Sequence, residues 1–353
     1  MQRVLLINQG NTDNLGDKAI NLSFRSLLEK YGSTVDFAGF AQTDEQFIDK
    51  IDKKKNYKLK SFVKKRLPNF LIWFFKYRKK IKKELNSLDN QNYDLVILGG
   101  GQLIKSKNVF AYCFLSWITL LRRKGYPIFV VGVGADDQFS FIEKVIYQKC
   151  LAQVNNIYVR DKESQAILNR IFNISAQYIP DIVFNKRLTN TDTNMFIKEE
   201  KLVVMIYDYD ALQKNFENDF GTKKEYFYFW ENLIKTNYQP DLTITLAYTT
   251  IGDKKTTKEF YHYIKNNTEM EVSLSNTDRL GELEELLKTT KILISGRMHG
   301  MILGLNHNCI IVPYIVSPKV KAFKEEWLKS DINYKSILKK QEKVIKQILN
   351  VNR

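Results

Sequence analysis

At 353 residues the chain has room for about two domains, and 44% hydrophobic against 27% charged residues is the balance of an ordinary globular protein. Fifty-five Lys and Arg against 39 Asp and Glu give a net charge of +16, which points to an anionic partner: nucleic acid, a membrane surface or phosphorylated substrates. Cys113, Cys150 and Cys309 lie far apart in apolar surroundings and suit buried thiols in a reducing compartment, no Cys or His spacing suggests a metal, and no apolar run reaches the ~20 residues of a membrane span.

The predicted elements alternate strand and helix. Met1-Gln2-Arg3 leads into Val4-Leu5-Leu6-Ile7, an apolar run too short for a signal-peptide core. It reads as a buried strand over Arg3–Asn8, followed by a helix over Asp17–Tyr31. Further strands are expected at Val35–Phe40, Asp94–Leu98, Pro127–Gly134 and Asn156–Arg160. A polar stretch, Asn185–Glu200, then breaks the rhythm and reads as a linker. The pattern restarts with strands at Leu202–Ile206, Leu242–Ala247, Glu271–Leu274, Ile292–Ser295 and Ile310–Tyr314. Continuous apolar strands alternating with helices imply parallel sheets covered on both faces. The expected architecture is α/β: two doubly wound Rossmann-like domains, at about 1–190 and 200–353, facing a central cleft.

One segment departs from this pattern. Residues 53–83 hold fourteen Lys or Arg and no Asp or Glu. After Pro68, the residues Phe70, Phe74, Tyr77, Ile81 and Leu85 share a helical face. An aromatic, basic, amphipathic helix is the composition of a segment that lies on an anionic membrane, here over about 58–83. The structural alternative is an aromatic face packed on its own domain. A single basic block with no accompanying recognition module argues against nucleic acid as a partner.

Four places carry chemistry. Ile292-Leu293-Ile294-Ser295-Gly296-Arg297-Met298-His299-Gly300 runs from a strand into a helix beginning near His299. That junction puts Arg297 and His299 where free N–H groups and the helix dipole favour an anion, with Ser295 and Gly300 beside them. A forked guanidinium grips carboxylate or phosphate, and flanking glycines admit a ligand to the backbone. The other histidines, His262 and His307, stand in unremarkable polar contexts. Next, Asn8 to Asp17 is a ten-residue loop, longer than the roughly 2–6 residues usual at a strand–helix turn. It reads as substrate-facing through Asn14, Gly16 and Asp17, although Asp17 also stands where a helix N-cap belongs. Gly99-Gly100-Gly101 closes a strand and leaves backbone open to a ligand at Gly100 and Gly101, or is simply a tight turn. Finally, Arg160 ends a strand, Asp181 follows Pro180, and Lys319 lies just past the last strand as a further anion contact.

Taken in order, four elements resemble the polysaccharide pyruvyl transferase family. They are the Asn14-Leu15-Gly16-Asp17 loop, the Asp94–Gly101 strand with its glycines, Arg160-Asp161-x-x-Ser164 followed by Pro180-Asp181, and the Arg-x-His element within Ser295–Gly300. Gly296 departs from the serine or asparagine common before the Arg, and the basic aromatic segment is no part of the resemblance. The resemblance implies a fold similar to the GT-B glycosyltransferase architecture, and transfer of a pyruvyl group from phosphoenolpyruvate to a sugar as a cyclic ketal. No metal or other cofactor is implied. Arg297 and Arg160 would clamp the donor, His299 would protonate its methylene carbon, and Asp17 or else Asp181 would take the hydroxyl proton. The saccharide acceptor is expected to be lipid-linked, and the enzyme cytoplasmic and peripheral on the inner face of the membrane. Two other readings are a nucleotide-sugar glycosyltransferase using Glu282, Glu284 or Glu285 on a ribose, and a non-catalytic sugar-binding member of the fold.

Overall fold

The computed structural model describes all residues except 11, 42–68, 89–90, 108, 187–197, 329–331 and 351–353. Among the described residues, eleven strands form two sheets in which every pairing is parallel. The first joins β1 (Gln2–Asn8), β2 (Ser33–Gly39), β3 (Leu95–Gly99), β4 (Ile128–Val133), β5 (Asn156–Val159) and β6 (Gln177–Tyr178) in the order β2-β1-β3-β4-β5-β6. The second joins β7 (Lys201–Met205), β8 (Thr243–Ala247), β9 (Val272–Leu274), β10 (Ile292–Ser295) and β11 (Ile310–Pro313) in the order β11-β10-β7-β8-β9. Each is a doubly wound, Rossmann-like α/β unit. Chain direction reverses across the sheet between β1 and β3, and again between β7 and β10; such switch points leave a crevice at the strands' carboxyl ends.

Burial explains why these runs become strands. Val4–Ile7, Val96–Leu98, Ile128–Val131 and Leu202–Val204 are fully buried, as strands covered on both faces require. In the first sheet Leu5, Ile7, Val96, Leu98 and Val130 face one core, shared with Tyr77, Trp117, Tyr147 and Phe172 from the helices Asn69–Ser87, Phe110–Arg123, Phe141–Leu151 and Lys162–Phe172. The other face is covered by the helix Leu15–Lys30, whose Ile20 and Phe24 reach Gly99 and Gly100. Two of the large core rings turn their polar tips to backbone carbonyls: Trp117 Nε1 donates to Phe40 O at 2.9 Å, and Tyr226 Oη to Tyr207 O at 2.7 Å, whereas the buried Trp230 Nε1 has no hydrogen-bond partner.

The predicted strands lie within two residues of the observed ones. β6, two residues with no apolar run, was not anticipated. The helix after β1 starts at Leu15, two residues before the expected Asp17, so the N-cap is Asn14: its Oδ1 accepts from Gly16 N at 2.9 Å. Asp17 sits instead in the first turn. The units are not two contiguous halves. One comprises residues 1–12, 20–182 and 339–353, the other 13–19 and 183–338. The C-terminal helix Tyr334–Leu349 thus ends in the first unit, whereas the sequence reading ran the second domain to residue 353, and most of the expected linker lies outside the described residues.

All three thiols are buried; burial pushes Cys113 and Cys150 up to about 12 and Cys309 up to about 11. His307 is not in the ordinary polar setting that the sequence suggested. It ends the helix Met298–Asn306, and burial together with Lys198, Lys288 and Lys186 lowers it from 6.5 to about 4. The unfolded chain therefore binds more protons between those values, and stability falls as pH drops through that window. The loss attributable to His307 is on the order of 3 kcal/mol at most. Urea unfolding across the window should show this slope in the native protein and a flatter one in His307→Gln.

Candidate active site

The turn from β10 into the helix Met298–Asn306 is built from packed, short residues. Ser295 is buried at the strand's end and its Oγ accepts from Arg297 N at 3.1 Å. Arg297 is the extended N-cap residue, and His299 lies in the helix's first turn, as expected from the sequence. The flanking glycines have a different cause from the one anticipated. A Cβ on Gly296 would stand 3.0 Å from the Tyr314 ring, and one on Gly300 would stand 3.2 Å from Ser295 Oγ and 3.3 Å from Met205 Sδ. Protein atoms fill the space these glycines leave, and Gly300 lets the helix sit directly on the ends of β10 and β7.

Arg297 is fixed by a residue the sequence reading missed. Its Nε and Nη2 donate to the two carboxylate oxygens of Asp253, at 3.0 and 2.6 Å. Asp253 is 1% exposed and lies in the first turn of the helix Ile251–Asn267. It also accepts from Thr249 Oγ1 at 2.9 Å and Asp208 N at 3.0 Å, while its own N–H donates to the N-cap Thr250 at 3.1 Å. A carboxylate at a helix's amino end with four donors on its oxygens is well compensated for its burial. The guanidinium also lies over Tyr207, 3.9 Å from the ring centroid. Burial alone would lower the Arg297 pKa, but the charge of Asp253 and the Tyr207 ring outweigh it and the pKa is raised. With Nε and one Nη2 proton on Asp253, the end-on pair of Nη1 and Nη2 is the fork suited to a second anion. Thr250 and Asp253 share a pattern that reads as local helix capping, and nothing in their spacing signals a partner 44 residues on.

Residues 13–19 belong to this same unit. Leu15 N donates to Thr249 O at 3.0 Å, and Asp13 accepts from Ile251 N, the first N–H of the helix that carries Asp253. This docking lays Gly16 against His299. A Cβ on Gly16 would lie 2.7 Å from His299 Nδ1 and 2.9 Å from its Cβ, so only glycine lets the imidazole rest there. Asn14, Gly16 and Asp17 are thus brought to one place with Arg297, His299 and Ser295, at the carboxyl edge beside the β7–β10 switch point. Lys319 stands half-buried in the first turn of the helix Pro318–Trp327.

The remaining expected residues lie in the first unit. Arg160 is 7% exposed at the end of β5. Its guanidinium faces two carboxylates, Asp161 and Asp181, each at 3.6 Å, and its Nε has no hydrogen-bond partner. Two carboxylates around one cation leave an excess negative charge where the sequence suggested an open anion clamp. Gly100 and Gly101 have positive φ, +76° and +69°, and both are buried. A Cβ on Gly100 would stand 2.1 Å from Ile20 Cγ2, so that glycine answers to backbone conformation and helix packing.

Comparison with known proteins bears on the family and the fold. A family model described as polysaccharide pyruvyl transferase matches residues 14–313. No curated protein matches the chain. Among solved structures, the fold is similar to UDP-GlcNAc 2-epimerase from Neisseria meningitidis bound to UDP-GlcNAc, at 10% identity and TM-score 0.54, covering 99% of this chain and 100% of that one. It is also similar to the Methanocaldococcus jannaschii UDP-GlcNAc 2-epimerase in complex with UDP-GlcNAc and UDP, at 13% identity and TM-score 0.51, covering 99% of each chain.

Two substitutions probe this arrangement. Asp253→Ala should destabilise the protein by about 2–4 kcal/mol in urea unfolding, because it strands the Arg297 cation; the partial exposure of Arg297 keeps the figure below that of a fully buried pair. Gly16→Ala should lower the melting temperature and also lower turnover, the latter about tenfold to a hundredfold, because the added Cβ meets His299 Cβ as well as its ring and displaces both.

Proposed function

The chain belongs to the polysaccharide pyruvyl transferase family, and from that membership we propose that it moves the enolpyruvyl group of phosphoenolpyruvate onto a saccharide as a pyruvate ketal. The observation that carries the reading is the pairing of Arg297 and His299 on the turn out of β10, with the Asn14–Asp17 loop laid against His299. The end-on fork of Arg297 and the amino end of the helix Met298–Asn306 grip the carboxylate and phosphate of the donor. His299 delivers a proton to the methylene carbon, which becomes the methyl group while C2 becomes oxocarbenium-like. A sugar hydroxyl oxygen bonds to C2, the C2–O bond to phosphate breaks, and a neighbouring hydroxyl closes the ring. Of the two hydroxyl protons released, one restores His299 and the other leaves with phosphate. Asp17 is the proposed base and Asp181, paired with Arg160 in the first unit, the alternative. Ser295 fixes the turn, and Lys319 is kept as an anion contact. The acceptor is proposed to be lipid-linked, met on the inner face of the cell membrane.

The UDP-sugar ligands of the similar epimerases prompt the second reading, a nucleotide-sugar glycosyltransferase. The carboxylates considered for gripping a ribose have other partners: Glu282 accepts from Arg279 N, Glu284 pairs with Lys186 and Glu285 with Lys288. That favours the pyruvyl reading.

Purified protein with phosphoenolpyruvate and candidate saccharides should release phosphate and yield a ketal product detectable by mass. His299→Ala should lower the rate by roughly 10²–10⁴-fold, and Arg297→Ala should raise the donor KM as well as slow turnover. Release of a nucleoside diphosphate from a nucleotide sugar, with none of phosphate from phosphoenolpyruvate, would overturn the proposal. Full activity in both variants would remove catalysis from this turn.

A further inference from the structure

One motif singled out in the sequence has no part in this chemistry: the basic aromatic segment. Its portion at 53–68, and the side chains of Phe70, Leu71 and Ile72, lie outside the described residues. From Trp73 onward the helix Asn69–Ser87 divides into two faces. Tyr77, Ile81 and Leu85, at i, i+4 and i+8, are 7%, 3% and 3% exposed and join the core that holds Phe40 and Trp117. To that extent the structural alternative holds: part of the aromatic face does pack on its own unit. Phe75, Lys79, Lys82, Lys83 and Asn86 follow the same helical spacing on the far side, and all are exposed. Phe75 is 61% and Trp73 40% exposed, and Lys76 Nζ lies 5.4 Å from the Trp73 ring centroid. The helix carries Lys76, Arg78, Lys79, Lys80, Lys82 and Lys83 against a single carboxylate, Glu84.

We propose that this outer face docks on an anionic lipid bilayer, with Phe75 and Trp73 set into the headgroup region and Lys79, Lys82 and Lys83 against lipid phosphates. Charge complementarity and the apolar residues at one end of a lysine row carry the inference. A convex single-helix face with one aromatic end suits a flat charged surface, whereas strand-binding proteins use a groove with successive stacking rings. No helix of the described residues is long and apolar enough to cross a membrane, so the contact is a surface one. The fold gives the face a direction. Residues 88–94 link the end of the helix at Ser87 to the start of β3 at the amino edge of the parallel sheet, so its carboxyl end lies toward that edge and its amino end toward the other. The Phe75 end therefore points to the sheet edge that bears Arg160 and Gly100 in the same unit. A saccharide on a lipid headgroup would be held near that edge; this last step alone rests on the function proposed above.

The full-length protein should be retained by sedimented vesicles of phosphatidylcholine with phosphatidylglycerol, and not by phosphatidylcholine alone. Replacing Lys79, Lys82 and Lys83 together by Gln should lower the partition by roughly a hundredfold. Phe75→Ser should remove the part of binding that persists at high salt. All these positions are exposed, and unchanged melting would confirm that the variants fold. Equal retention of the triple variant, equal binding to neutral vesicles, or no retention of the native protein would overturn the proposal. So would displacement of the vesicles by a single-stranded oligonucleotide, which would assign the face to nucleic acid. Phosphate release with a soluble saccharide should be unchanged in these variants. Its absence in the native protein would refute pyruvyl transfer and leave the vesicle result standing.

Discussion

The second unit is organised around one buried carboxylate. Asp253 receives the Arg297 fork, the Thr249 hydroxyl and the Asp208 amide, and so ties together residues that follow β7, β8 and β10. Each of those residues leaves a strand at the same edge of the sheet, which is why one carboxylate reaches all of them. A buried ion pair is not in itself a source of stability, because desolvation opposes the attraction. Its contribution here is positional. It holds Arg297 over Tyr207 with Nε and Nη2 turned to Asp253.

His299 is placed by different means. The absence of a side chain at Gly16 makes the room for the ring. The loop reaches it because Asp13 and Leu15 dock on the start of the helix Ile251–Asn267. The same helix end therefore governs both side chains, Arg297 through Asp253 and His299 through the docked loop.

Much of the fold was legible in the sequence because strands buried on both faces leave long apolar runs, and those runs are what composition reveals. β6 left none, being two residues long. Arg297 and His299 were legible because their junction is local: strand, short turn, helix. Asp253 was not, since its function depends on an arginine far along the chain, while its neighbours Thr250 and Ile251 read as ordinary capping. The glycines were found for an imperfect reason. Gly100, Gly296 and Gly300 stand where close protein packing or left-handed backbone needs them, which from sequence alone looks the same as room for a ligand. Arg160 was expected to be an open cation, and its two carboxylate neighbours come from residues 161 and 181, of which the second is brought near only by the fold.

The buried thiols give the protein a built-in clock. The thiolate is the form that alkylating reagents attack, and burial both withholds it and hides the sulfur. Cys113 and Cys150 belong to one unit and Cys309 to the other. Each sulfur therefore becomes reactive only when its own unit opens. Counting modified cysteines against time would resolve the breathing of the two units without introducing a single foreign residue.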